Sequence, residues 1–224
     1  DLFGRYSQIS MLPTLKANEA KGTYQLHFAT PTPASAFRFN WDTPRPELRR
    51  AFREKRVRVA LSHALNREEI GEIVYHGMLI PSGFTFGPGS RYHSEPLTKT
   101  YSAYDPELSR RILDEAGYVD SDGDGIRELD DGSSFTLLID VIPGLGTDVC
   151  QLVAEYWAAV GVQVHLNVAL PNMTHQRRAR GEFEILWTAE YQEDASVNMY
   201  AWGTTGPHFP TWHRMAYLEG PEWL

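Results

Sequence analysis

A chain of 224 residues, 42% of them apolar and 12% aromatic, carries the hydrophobic surface of a folded protein and has the length of one α/β domain. Lys and Arg number 21 against 29 Asp and Glu, and the resulting net charge of −8 opposes binding to nucleic acid and to anionic membranes. The single cysteine, Cys150, excludes an internal disulfide, and its place in the apolar run "DVCQLVAEYW" predicts a buried thiol.

In chain order, "GTYQLHFAT" and "SAFRFNWDT" alternate apolar and polar residues, which predicts two strands with Tyr24, Leu26 and Phe28, then Phe37, Phe39 and Trp41, on one face each. The basic cluster "RRAFREKRVRV" from Arg49 has helical spacing and reads as a solvated helix face. Val57, Ala60, Leu61, Ala64 and Leu65 continue at helical spacing; Asn66 is placed to cap the next helix, with Gly77 as its stop. Ile80 to Thr100 is rich in Pro, Gly and Ser without a sustained period and is predicted to be a long loop.

"YDPELSRRILDEAGY" predicts a helix with Asp105 as N-cap, Pro106 in the first turn and Gly117 at its end. "FTLLIDVIP" is apolar almost throughout, as in a strand buried on both faces. A helix stopped by Gly161, the strand "VQVHLNVAL", a helix from Asn172 to Gly181 and the strand "FEILWTA" follow. Helix and strand alternate through this half, so the expected fold is α/β, a mixed β-sheet flanked by helices on both faces in one domain spanning residues 1–224.

Between a helix and a central strand stands "YVDSDGDGIRELDDG", with Asp120, Asp122 and Asp124 at alternate positions. Such spacing supplies the hard oxygen ligands of a calcium loop, with Gly125 sixth and Asp131 twelfth counting from Asp120. Asp at the closing position is shorter than the usual Glu, and Ile126 falls one place early. The competing reading is a pair of Asp-Gly turns around "IREL", and it is preferred here, with calcium as the alternative. No H-E-x-x-H, G-x-S-x-G, P-loop or G-x-G-x-x-G after a strand is present, and mid-helix Cys150 lacks the electropositive setting of a nucleophile. No enzyme activity and no cofactor are expected.

Three stretches carry a resemblance. "REKRVRVALSHALNREEIGEIVYHG" is similar to the signature of extracellular solute-binding proteins of family 5, the peptide and nickel type; "YDPELSRRILDEAGYVDSDGDGIRELDDGSSFTLLI" and "EYWAAVGVQVHLNVA" resemble the elements that follow it. The resemblance covers about Gly22 to Asp194 and implies one lobe of a type II-like periplasmic binding protein, in which two lobes close on a solute and deliver it to the permease of an ABC importer. It also implies a periplasmic or extracellular place, a membrane-associated parent protein and a monomer. "DLFGRYSQIS" at the start has no initiator Met or export signal, and "YLEGPEWL" has no cap or polar tail, so a piece of a longer protein with the second lobe missing is expected.

The ligand-facing segment of the family resembles "WTAEYQED". The resemblance places Glu190 where oligopeptide-binding members use an Asp to pair with the peptide's α-amino group, and a buried ammonium needs such a partner. Glu for Asp is a departure, which keeps a sugar-binding member, stacking its ligand on Trp187, as the alternative. Tyr191 belongs to the same segment, and Arg178 and Arg180 resemble an Arg-rich element that meets a peptide carboxylate, unless they serve the C-terminal dipole of their helix. A calcium-dependent structural module and a hydrolase are the rival classes; calcium-dependent stability or turnover would favour them.

Overall fold

In the computed structural model the described residues are 9–27, 36–83, 87–91, 93–144 and 146–188. A short helix α1 (Leu12–Asn18) is followed by residues that fold back on it: the Tyr24 hydroxyl donates to the Leu15 carbonyl at 2.6 Å, and the Leu26 N–H donates to the Glu19 carboxylate at 2.7 Å. The strand expected around Tyr24 and Leu26 is therefore not formed over residues 24–27; Phe28 lies outside the described residues. Alternation marks a two-sided surface, but a strand also needs a neighbour, and here local bonds to α1 take its place.

The second alternating stretch does become a strand, β1 (Ala36–Phe39). Helices α2 (Pro46–Arg53), α3 (Lys55–His63), α4 (Arg67–Tyr75), α5 (Glu95–Lys99) and α6 (Pro106–Glu115) come next. The basic cluster is not one solvated helix face. Glu54, extended at φ −69 and ψ 114, divides it between α2 and α3, and three of its arginines are tied inward while Arg50 and Arg56 stay exposed. Arg49 donates to the Thr43 carbonyl, Arg53 to the Trp41 carbonyl and to Asp42, and Arg58 to the Phe52 carbonyl, with its guanidinium 4.9 Å from the centre of the Trp41 ring. The caps fall where the sequence puts them. Asn66 accepts the Glu69 N–H at 3.2 Å, Asp105 accepts the Leu108 N–H at 2.8 Å, and the Tyr118 N–H closes α6 on the Leu113 carbonyl at 3.0 Å. Within the expected long loop, Glu95–Lys99 forms a five-residue helix.

Strand β2 (Thr136–Val141), helix α7 (Thr147–Ala158), strand β3 (Gln163–Val168), helix α8 (Pro171–Arg180) and strand β4 (Ile185–Thr188) complete the described chain. The strand order is β1-β4-β2-β3; β2 is parallel to both neighbours and β1 antiparallel to β4, which makes the sheet mixed. One face is apolar. Leu137, Ile139 and Val141 of β2 join Val149, Cys150, Val153 and Trp157 of α7 and the buried sides of α2, α3 and α6 in the main core. The Trp157 indole N–H donates to the Leu61 carbonyl at 2.9 Å, so α7 and α3 share a polar tie inside this core. Burial pushes the Cys150 thiol up to about 12, the chemistry of an inert buried cysteine.

The opposite face of β2 is also largely covered, as its nearly continuous apolar run predicts, but it carries a charge where that run breaks. Asp140, 1% exposed, points there; it accepts from the Asn167 amide at 2.6 Å and from Arg177 Nε of α8 at 3.0 Å. A buried carboxylate needs such partners, and Arg177 pins α8 across the sheet by supplying one. Phe183 and Leu186 form a small apolar cluster of their own.

Where β4 is too short to pair with β2, Glu184 substitutes for it: its carboxylate accepts the Leu138 N–H at 2.7 Å and an Arg45 N–H at 3.1 Å. Burial raises the Glu184 carboxyl above the usual range, and the bonds from Leu138 and Arg45 only partly offset this. A carboxyl raised on folding contributes stability that is full below its unfolded value and is lost as pH rises through its folded value. Urea melts between about pH 4 and 7 are therefore expected to show that Glu184→Gln removes a downward trend with rising pH, and an unchanged difference between the two proteins across that range would refute the assignment.

Candidate functional site

The parallel strands β2, β3 and β4 all end at one edge of the sheet, at Val141, Val168 and Thr188, and the antiparallel β1 begins there at Ala36. Helix α7 starts at the same edge, behind Gly146. In open α/β sheets this carboxyl edge is where ligands are met, because helix N-termini and loops converge on it.

Trp187 stands at this edge with its side chain turned into the main core; it is 7% exposed, and its indole Nε1 has no hydrogen-bond partner among the described residues. Its ring lies against the α-carbon of Gly146, so close that a Cβ built there would stand 2.4 Å from two ring atoms. Thr188 then pairs with Ala36, and Glu190 and Tyr191 lie outside the described residues.

The remaining candidates are not brought to Trp187. Helix α8 starts beside the carboxyl edge and runs back beneath the sheet, so Arg178 and Arg180 sit in its last turn, at the far end of β4. Arg180 is exposed, with Glu182 at 3.9 Å. The residue of this run that reaches the sheet is Arg177, which sequence reasoning passed over; the signal was Asp140, the lone charge in the apolar "FTLLIDVIP".

The Asp loop also lies at the opposite end, before β2. One oxygen each of Asp120, Asp122 and Asp124 lies within 4.8 Å of the others. These carboxylates accept backbone bonds: Asp120 from Gly123 and Gly125 at 2.7 and 2.9 Å, Asp122 from Asp124 at 3.0 Å, Asp124 from Ile126 at 2.7 Å. Asp131 is engaged in its own turn by the Ser133 N–H and hydroxyl. A Glu128–Ser134 bridge closes the second bend, at Asp130–Gly132, with "IREL" as one of its arms. The bonds of Asp122, Asp124 and Asp131, each to the N–H two residues on, are Asx turns, and Asp120 spans the loop with bonds three and five residues on; together they hold the loop without an ion. Asp120→Ala is accordingly expected to lower stability by about 1 kcal/mol, equally in calcium and in chelator. Calorimetric titration of calcium producing heat at one site, lost in Asp122→Ala, would overturn the turn assignment.

What holds this end together is Arg127, buried at 7% exposure and also unforeseen from sequence. Its guanidinium donates to the carbonyls of Val160 (2.7 Å), Tyr118 and Arg110 (3.4 Å) and to the Asp114 carboxylate, joining the ends of α6 and α7. Gly161, at φ +84, lets the Arg127 stem pass: a Cβ there would stand 2.9 Å from Arg127 Cγ.

Comparison with known proteins places this lobe. A family model described as bacterial extracellular solute-binding proteins, family 5 Middle, matches residues 2–210. The oligopeptide-binding protein AppA of Bacillus subtilis (strain 168) is 30% identical over 118 residues, 52% of this chain and 22% of AppA. Among solved structures, an oligopeptide-binding protein OppA superposes with a TM-score of 0.80 at 28% identity, over 91% of this chain and 33% of OppA. MelB of Agrobacterium fabrum C58, solved with stachyose, superposes with a TM-score of 0.71 at 19% identity, over 82% of this chain and 30% of MelB, a likeness of fold alone. The chain thus spans about a fifth to a third of the length of these relatives. A mixed sheet with helices on both faces is the architecture these binding-protein lobes share with it, and the chain belongs to the bacterial extracellular solute-binding proteins of family 5.

Proposed function

We propose that residues 1–224 are one lobe of the substrate-binding component of an ABC importer that captures oligopeptides outside the cytoplasm and delivers them to a membrane permease. The observation that carries the reading is the carboxyl edge of the sheet, where β4 ends in the segment "WTAEYQED" in a fold shared with OppA at 28% identity. In this reading Glu190, just beyond the described strand, pairs with the peptide's free α-amine; Tyr191 lines the same cleft, and Trp187 anchors the segment from below. Arg178 and Arg180, in the last turn of α8, fit the helix-dipole role better than carboxylate capture.

A second reading, oligosaccharide capture, is favoured by solved neighbours bound to stachyose and to mannohexaose. The buried setting of Trp187 weighs against it, since a stacking platform must present its face.

A two-lobed clamp buries its ligand between both halves, so the isolated lobe leaves one side of it in water and fails to offset the association entropy. Fluorescence titration with unblocked peptides is expected to show weak or absent binding to the 224-residue lobe and saturable binding to the complete two-lobed protein. Saturation by oligosaccharides and not by peptides would overturn the assignment.

A further inference from the structure

The connection from β3 to α8, "VALPNM" from Val168 to Met173, carries no charge, and three of its side chains are large, apolar and left in water. Val168 is 50% exposed, Leu170 61% and Met173 53%. Single exposed apolar residues are ordinary; three within six positions on one edge mark a surface that something covers. The backbone beneath them is held fast. The Ala169 N–H donates to the Val141 carbonyl at 3.1 Å, and the Met173 and Thr174 N–H groups both donate to the Leu170 carbonyl at 3.0 Å. The hydroxyl of Thr174, the one buried residue of α8, shares its proton between the Ala169 and Leu170 carbonyls at 3.4 and 3.3 Å. Further along, Arg177 ties the helix to Asp140. The polar groups of this connection fix its shape, while its apolar side chains stay outside the core.

The opposite end of the sheet is surfaced by charge, with Asp120, Asp122, Asp124, Arg50 and Asp130 exposed, as suits a face that meets only solvent. The apolar connection instead lies on the carboxyl edge, where Val168 pairs with Val141. By alternation Val168 and Leu170 share one side of the chain, and Leu170 and Met173 are neighbours across the start of α8. Two strand spacings, about 10 Å, separate β3 from β4, a span that about three residues of an extended peptide cover.

We propose that Val168, Leu170 and Met173 form an apolar subsite that takes an aliphatic side chain of the bound peptide and sets a preference for peptides that carry one. The inference rests on the peptide reading above. Met173, unbranched and polarizable, adapts to side chains of different shape. The rival cover is the other lobe, since the chain spans only 33% of OppA. An apolar face buried lobe against lobe favours the closed form with or without ligand, and a clamp that is shut while empty admits nothing. Covered by a ligand's side chain, the same face favours closure only when a ligand is present.

The test uses the complete two-lobed protein and two matched sets of unblocked Ala/Ser pentapeptides, one with a single Leu at each position in turn and the other with Asn there. The readout is the ratio of the two affinities at each position, which a general weakening of the lobe leaves unchanged. At one or two adjacent positions the wild type is expected to bind the Leu peptide about tenfold more tightly. Leu170→Gln/Met173→Gln is expected to bring that ratio close to one and to leave the Asn peptides bound as before. A double variant that keeps the wild-type ratio overturns the proposal. Both sets weakened alike overturn it too, by showing that the other lobe covers the face, and a wild type whose dimerisation is lost in the double variant overturns it in favour of a second copy. A wild type that binds both sets equally overturns the proposal and leaves the peptide reading intact; one that binds neither set and is saturated by oligosaccharides overturns the peptide reading, and the proposal with it. If the double variant does not fold, Met173→Gln alone decides by the same ratio.

Discussion

Replacing Arg127 by methionine is expected to lower the folding stability of the lobe by about 3–5 kcal/mol, a large share of the total for a domain of this size. The magnitude comes from the acceptors left behind. Asp114, 55% exposed, is solvated readily once its partner is gone, so its loss is small. The carbonyls of Val160 and Tyr118 are bonded to the guanidinium in buried surroundings, and each stranded acceptor costs about 1–3 kcal/mol. Methionine keeps most of the apolar stem beside Gly161, which separates the lost bonds from lost packing. Urea denaturation of the two proteins measures the difference; a midpoint unchanged at equal slope would show that the three carbonyls find other donors and that Arg127 is not the clasp described here. Arg127→Lys is expected to recover a minor part, since one ammonium cannot span acceptors on both helix ends.

A loss of comparable size is expected at the ligand. On the proposed peptide reading, Glu190→Ala in the complete two-lobed protein strands the peptide's ammonium in the closed cleft, at a cost of about 2–5 kcal/mol. That corresponds to about 1.5 to 3.5 decades in affinity. Acetylating the peptide's amine removes the same pair from the other side, so it costs a similar amount against the wild type and little more against Glu190→Ala. Titrating free and acetylated peptide against both proteins closes the cycle. Additive losses mean that Glu190 does not meet the amine; a full loss in the mutant with no effect of acetylation places the carboxylate elsewhere on the ligand.

Sequence was a good guide wherever one residue acts on its near neighbours. The caps at Asn66 and Asp105 lie three residues from the N–H groups they accept, and the turns at Gly117, Gly161 and Gly181 end their helices by local geometry. The alternation of strands and helices in the second half was legible for the same reason, and the fold class followed. What escaped was long-range. Arg127 finds its partner Val160 33 positions away, and Arg177 finds Asp140 37 positions back. Helical phase, invisible in a run such as "QRRAR", brings Arg177 to Asp140 and leaves Arg180 exposed. The false strand around Tyr24 has the inverse cause, a correct local pattern with no neighbour to complete it. Trp187 stands out in the sequence only through the family segment that contains it, and its packing in the core against Gly146, 41 positions earlier, is a long-range contact of the same kind.

The sheet is two ribbons laid side by side. Six residue pairs join β2 to β3 and four join β1 to β4, but the line between the ribbons carries two, at Ile139–Ile185 and Asp140–Leu186. Backbone bonds fix distances and leave little to adjust; side chains can be exchanged one at a time. Because the β1–β4 ribbon meets β2 through two backbone pairs, side chains such as Ile185, Trp187 and the carboxylate of Glu184 do much to set its tilt. On the proposed reading, a few substitutions along that line would re-aim the segment that follows β4 while α7 and the β2–β3 ribbon stay as they are, so one frame would serve different solutes.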